Sequence, residues 1–356
     1  MKNRFAFLLI LIVIFFSGIA SGSSVEYLVF TQKTGDQTIV YTYQPAVSEL
    51  KEVVRGQNLS VFLQGKYFLY LKDQKLYQYY AAAAHSKELA TFKEKRVYLE
   101  VIQDGPEQAL VVAEDKYKIF NWYVLELSDG SLRRVKQPPL SQRGPYRVPS
   151  LTSPDRKATV VIKTPAFSQS PTLLIEATVN GKKETVWSSP KGMMIIPDWP
   201  VWSPDSRRIA FYAKEDKGFE GFYSLYLFDL DQKELVLIEK QVLAKYLFSN
   251  LSMESFIPAW SKDGKHLIFQ SQPNGLPTRS LIMKYDVSTG GKKVLTDSPG
   301  SNDYPAWSFS ERYISFLSNR ETPGRQLYLM DPKGESLRRV SPEEGSTQWA
   351  SWHRPN

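Results

Sequence analysis

The chain of 356 residues contains no cysteine at all. That excludes disulfide staples, thiolate metal sites and a cysteine nucleophile, so the fold must be held by its core alone. Histidine is nearly as scarce: His85 follows four alanines, His266 stands beside the apolar run Leu267 to Phe269, and His353 adjoins Trp352. None has a partner at the spacing of a metal site or an activated nucleophile. No G-x-S-x-G elbow, phosphate-binding loop, dinucleotide glycine pattern or D-x-D-x-D-G calcium loop occurs either. The sequence therefore nominates no catalytic, cofactor-binding or metal-binding residue, and no cofactor is expected. Beyond the first residues, no apolar run approaches the ~20 residues of a membrane-spanning helix.

The N-terminus is patterned differently. Lys2 and Arg4 precede an unbroken apolar run from Phe5 to Phe16, followed by Ser17, Gly18, Ala20, Ser21 and Gly22. This is the layout of a secretory signal over 1–22, cleaved near Ala20 to Gly22, with an uncleaved N-terminal anchor as the alternative. No cysteine follows it, so a lipobox is excluded. The remainder, 23–356, is expected to be one exported domain, periplasmic or extracellular. Of the formal charge of +8, Lys2 and Arg4 account for two. Outside the cytoplasm the rest suits an anionic envelope surface or an acidic partner, not nucleic acid.

What the chain has in abundance is aromatics, 13% with 20 Tyr and 19 Phe, which favours half-buried β structure over helices. It also repeats. Residues 200–211 read PVWSPDSRRIAF, 258–269 PAWSKDGKHLIF and 305–316 PAWSFSERYISF. Proline stands two before each tryptophan, serine follows it, and Trp202, Trp260 and Trp307 each lie nine before a phenylalanine, Phe211, Phe269 and Phe316. A fainter copy, SLTSPDRKATVV at 150–161, has Thr152 in the tryptophan position. A second half-unit follows each first: an apolar strand ending in Asp229, Asp286 or Asp331, a polar turn and a short strand. SLRRV occurs in that half-unit at both 131–135 and 336–340.

Each unit thus reads as four strands over about 40 to 50 residues, the period of a propeller blade. Runs such as HLIF and RIAF are apolar at successive positions because neighbouring blades cover both faces of a sheet. The expected blades are 58–92, 95–137, 147–188, 197–240, 254–297 and 302–341. The fragments at the two ends make a seventh: Leu28 to Phe30 begins as a second strand, and Trp352 brings the tryptophan position to the C-terminus. Their pairing would close an all-β propeller of seven four-stranded blades and leave no exposed edge there. The tryptophans are expected to wedge adjacent sheets apart, and the recurring Asp205 and Asp263 to cap turns, since a turn is needed in every blade and a catalytic group only once.

The P-x-W-S-x-D/S-x-x-x-I/L-x-F units resemble the TolB-type propeller repeat, which also occurs in dipeptidyl-peptidase and prolyl-oligopeptidase propellers. The match is clearest over 197–341. The resemblance implies a non-enzymatic binding or scaffolding module of the cell envelope with a protein partner; a monomer is expected. The competing class is a hydrolase or lyase acting on a sugar or peptide, its site assembled in the central channel. Two irregular segments could rim a binding surface. In 239–256, Leu243, Leu247 and Leu251 fall at helical spacing, and 137–147 is stiffened by Pro138, Pro139 and Pro145.

Overall fold

The computed structural model describes residues 25–57, 59–64, 67–94, 96–102, 108–114, 116–135, 141–142, 151–163, 172–179, 182–195, 200–215, 222–244, 257–272 and 279–355. Among them every helix or strand is a β-strand, and the strands group into seven antiparallel sheets. Within a sheet, consecutive strands lie side by side as repeated hairpin units require, with exceptions such as Ser346–His353 beside Tyr27–Thr34 and Ser141–Gln142 beside Arg96–Ile102. The molecule is a β-propeller.

Second strands are the core. Ile314–Ser318 is buried at every position, and so are the first six residues of Tyr27–Thr34. Clusters of buried side chains join neighbouring sheets: Ala210, Leu225 and Leu227 pack with Leu267, Phe269 and Tyr285, and Ile268 and Ile282 pack with Ile314, Phe316 and Tyr328. The outermost strands are exposed, as in Glu49–Gly56. Their charges, Lys51 and Arg55, Arg133 and Arg134, Lys182 and Lys183, Lys292 and Lys293, Arg338 and Arg339, stand where an open edge would otherwise recruit another strand. This is a physical reason for the recurrence of SLRRV.

The two ends of the chain close one sheet, as the sequence implies. The last strand, Ser346–His353, pairs antiparallel with Tyr27–Thr34, bringing Trp352 opposite Leu28 and His353 opposite Tyr27. Gly345 enters this strand at φ 91°, and a Cβ there would lie 2.5 Å from the Lys33 carbonyl, so only glycine fits.

The repeat positions coincide in register. Trp202 faces Ile209, Trp260 faces Leu267, Trp307 faces Ile314, and Thr152 forms a single bridge to Thr159. The turn that follows is S-x-D-x, in which the aspartate caps as expected. In the sheet of Trp260, the Ser261 hydroxyl donates to Asp263 (2.7 Å) and accepts from the His266 amide (2.9 Å), while Asp263 also accepts from the Lys265 amide (3.0 Å). Ser203 with Asp205 and Ser153 with Asp155 repeat the arrangement. The fourth turn residue is left-handed in every copy: Arg156, Ser206, Gly264 and Glu311 have φ of 62°, 63°, 68° and 58°.

At the fourth copy Ser310 replaces the aspartate: its hydroxyl oxygen lies 3.1 Å from Ser308 Oγ and accepts from the Arg312 amide (3.4 Å), and Glu26, from the beginning of the described chain, holds Ser310 in place with a carboxylate. It accepts from the Ser310 hydroxyl (2.5 Å) and amide (2.9 Å). Glu26→Ala should therefore lower stability by about 1–3 kcal/mol, the range for losing charge-assisted bonds in a buried setting. Adding Ser310→Asp to that variant should recover part of the loss in urea titrations; no recovery would mean that Glu26 acts otherwise than by supporting this turn.

The expected helix in 239–256 is corrected where the chain is described. Glu234–Ala244 is one continuous strand, with Leu243 opposite Tyr223. On one side it pairs with Phe222–Asp229, with register shifts on either side of Leu225, and this pairing outweighs leucine spacing. Leu247 and Leu251 lie outside the described residues.

Candidate functional site

Antiparallel order sorts the connections. Turns between first and second and between third and fourth strands emerge at one end of each sheet, here the turn end. Connections between second and third strands, and from one sheet to the next, emerge at the other, the loop end. Asp155, Asp205 and Asp263 belong to the turn end, and their carboxylates serve the turns. The histidines are not brought together. His85 lies exposed in His85–Thr91, its ring stacked on Tyr80 at 4.7 Å. His266 is half-exposed with Nδ1 3.9 Å from Asp286, and His353 is buried in the closing strand.

At the loop end, the sheets holding 259–294 and 302–339 meet in a buried polar cluster that no sequence motif announces. The strand Asn302–Trp307 carries Asp303, which is 4% exposed. Its Oδ1 accepts from Gln270 Nε2 (2.8 Å) and the Ser280 hydroxyl (3.0 Å), both from the neighbouring sheet. Its Oδ2 lies 3.1 Å from Arg325 Nη2, an ion pair whose angle falls outside hydrogen-bond geometry. Burial pushes the Asp303 carboxyl above the usual carboxylate range, although Arg325, Ser280 and Gln270 pull the other way.

Asn302 extends the cluster. Its side-chain nitrogen donates to the Ser280 carbonyl (2.6 Å), and its oxygen accepts from Ser318 (2.9 Å) and Arg320 (2.7 Å). The Arg320 guanidinium lies over Phe316 and Tyr328, 5.2 and 4.9 Å from their centroids, and burial lowers its affinity for a proton. Beside Asp303, Tyr304 adopts φ 56°, unfavourable for an aromatic residue, where the ladder shifts register before Pro305. Just outside, Arg279, Asp297, Ser298, Pro299 and Gly300 line an open cleft of about 430 Å³.

One sequence signal could have pointed here. Asp303 stands four before Trp307, as Asp198 stands four before Trp202. Asp198 lies outside the described residues, as does most of 137–147. Of the latter segment, Ser141–Gln142 pairs with Arg96–Ile102.

No protein-family model matches the chain. Among solved structures it is similar to a puromycin hydrolase, with 10% identity, 91% of this chain and 53% of that chain covered, and a TM-score of 0.54. A puromycin-hydrolyzing peptidase of Mycobacterium tuberculosis gives 13% identity, coverage of 89% and 53%, and a TM-score of 0.51. TolB from Acinetobacter baumannii is 14% identical over 92% of this chain and 82% of that chain, with a TM-score of 0.42. The chain spans about half the length of the two hydrolases. At such identities the likeness to the two hydrolases shows the fold alone, a β-propeller.

Proposed function

We propose that the protein is an exported, non-enzymatic propeller that serves as a binding or scaffolding module of the cell envelope, with the loop end as its binding face. The observation that carries this reading is the polar cluster around Asp303 and Asn302. Side chains from two sheets are hydrogen-bonded across their interface directly beneath the loop-end connections. Such a cluster braces irregular connections on a rigid base, which is what a recognition surface needs. The leader-like N-terminus supports the compartment, and the TolB-type repeat supports the class.

A second reading is favoured by one feature of the same cluster. A buried carboxyl held above its ordinary range beside an arginine and a strained tyrosine also suits acid–base chemistry on a sugar or peptide. Two measurements decide between them. Affinity capture from the protein's own envelope fraction should recover a protein partner, and the parent should turn over neither an oligosaccharide nor a peptide library. Turnover by the parent that disappears in folded Asp303→Asn, with no partner recovered, would replace the scaffold by the enzyme.

A further inference from the structure

The strands Gln108–Glu114 and Phe120–Glu126 form a hairpin whose connection lies at the loop end. Its base is ordinary core, with Leu110, Val112 and Val124 buried and Trp122 packed against them. Its tip is not. Lys116, Tyr117, Lys118, Ile119 and Phe120 are all exposed, Tyr117 at 71%, Ile119 at 58% and Phe120 at 51%. Among the described residues no other run this short leaves three large apolar side chains so open. Hairpin tips in water usually carry Asn, Asp and Gly; in this chain Glu114 and Asp115 stand in the sequence before the two lysines and the three apolar residues. Here Lys118 takes the left-handed conformation, at φ 63°.

We propose that this tip is a membrane-interface anchor: Tyr117, Ile119 and Phe120 enter the boundary between headgroups and acyl chains of an anionic bilayer, and Lys116 and Lys118 stay among the phosphates. Aromatic rings beside lysines suit this layer, because each side chain has an apolar body and a polar or charged end that remains wet. The Lys116 ammonium, 4.9 Å from the Tyr117 ring centroid, already shows that juxtaposition. Shape favours lipid over protein. Three side chains on a convex tip offer far less than the ~800 Å² per partner of a stable protein interface, whereas a bilayer requires no complementary relief. The formal charge, about +6 once Lys2 and Arg4 are set aside, draws the molecule toward an anionic surface. Glu26 contacts Ser310 at the turn end, opposite the tip.

The absence of cysteine makes the test direct. In the chain from Ser23 onward, which contains every described residue, Ile119→Cys is labelled with an environment-sensitive dye and mixed with phosphatidylglycerol-containing vesicles. The emission should shift to the blue, and quenchers placed in the lipid should extinguish it. In co-sedimentation, Tyr117→Ser with Ile119→Ser and Phe120→Ser should weaken partitioning about 1,000-fold, at roughly tenfold per apolar side chain, with the melting temperature unchanged. Lys116→Glu with Lys118→Glu should reduce the preference for phosphatidylglycerol over phosphatidylcholine. Unchanged emission, or equal sedimentation of parent and triple-serine variant, would overturn the assignment. So would a blue shift that appears with rising protein concentration and no vesicles, which would give the tip to a second copy of the chain. Because only lipid is added, the result is independent of whether a protein partner exists.

Discussion

Trp202→Ala is expected to lower the stability of the protein by about 3–5 kcal/mol, the range for truncating a buried aromatic side chain, and Trp260→Ala by less. The order follows from burial and from a bond repeated around the propeller. Trp202 is 9% exposed and packs with Ala158, Val160 and Ile175 of the preceding sheet, whereas Trp260 and Trp307 are only half-buried. Each indole N–H donates to the carbonyl one residue before the previous tryptophan position. Trp202 reaches Leu151 (3.0 Å), Trp260 reaches Val201 (3.3 Å) and Trp307 reaches Ala259 (3.1 Å). At the closing sheet the chain of latches runs through a hydroxyl, Trp352 donating to Ser315 (3.0 Å) and Ser315 to Ala306 (3.4 Å). The tryptophans are therefore latches between sheets as much as wedges.

Denaturant midpoints at constant slope measure the losses. Trp202→Phe keeps most of the volume and removes one of two bonds to the Leu151 carbonyl, which still accepts from the Val160 amide (2.7 Å), and should cost about 0.5–1.5 kcal/mol. Trp260→Ala and Trp307→Ala act through linked sheets, so their combined effect should depart from the sum. A Trp260→Ala protein as stable as the parent would show that the indole contributes nothing to the joint between sheets.

Acid should open the closing seam. His353 is 3% exposed, opposite Tyr27 and with its ring edge-on to Phe68 at 6.0 Å. Burial disfavours the imidazolium and brings its pKa from 6.5 down to about 4. Between those values the unfolded chain binds a proton that the folded chain refuses, so stability rises with pH and is lost as pH falls from about 6.5 toward 4. The loss is on the order of 3 kcal/mol when the window is crossed. Asp303 works in the opposite sense: its raised pKa means that it opposes folding increasingly as pH rises past the unfolded value. The contribution of His353 is therefore read as a difference. Urea titrations of the parent and His353→Phe at pH 7 and pH 4.5 should show the gap between them narrowing or reversing at the acid value. Parallel pH dependences would mean that His353 is charged in the fold or already neutral when unfolded.

Much of this architecture was legible in one dimension because a propeller solves the same packing problem in each blade. The tryptophan, the serine after it and the phenylalanine nine residues on must recur wherever a short first strand, a tight turn and a doubly covered second strand recur. The pairing of Leu28 with Trp352 could be read from two incomplete units at the chain ends. Leucine spacing misled up to Ala244, since an apolar residue every fourth position also satisfies alternate positions of a strand, and only the partner Phe222–Asp229 decides.

The sequence by itself determined the class of fold, the repeat and the closure, because these depend on local periodicity and repeated local turns. Only the tertiary structure decided that Glu26 holds the turn at Ser310, that Asp303, Gln270, Ser280 and Arg325 converge, that His353 is desolvated, and that Tyr117, Ile119 and Phe120 remain open to solvent. Each of these joins residues from different sheets or depends on what neighbouring sheets leave uncovered. Burial and Coulomb energies depend on distances in space, and distance along the chain carries almost none of that information.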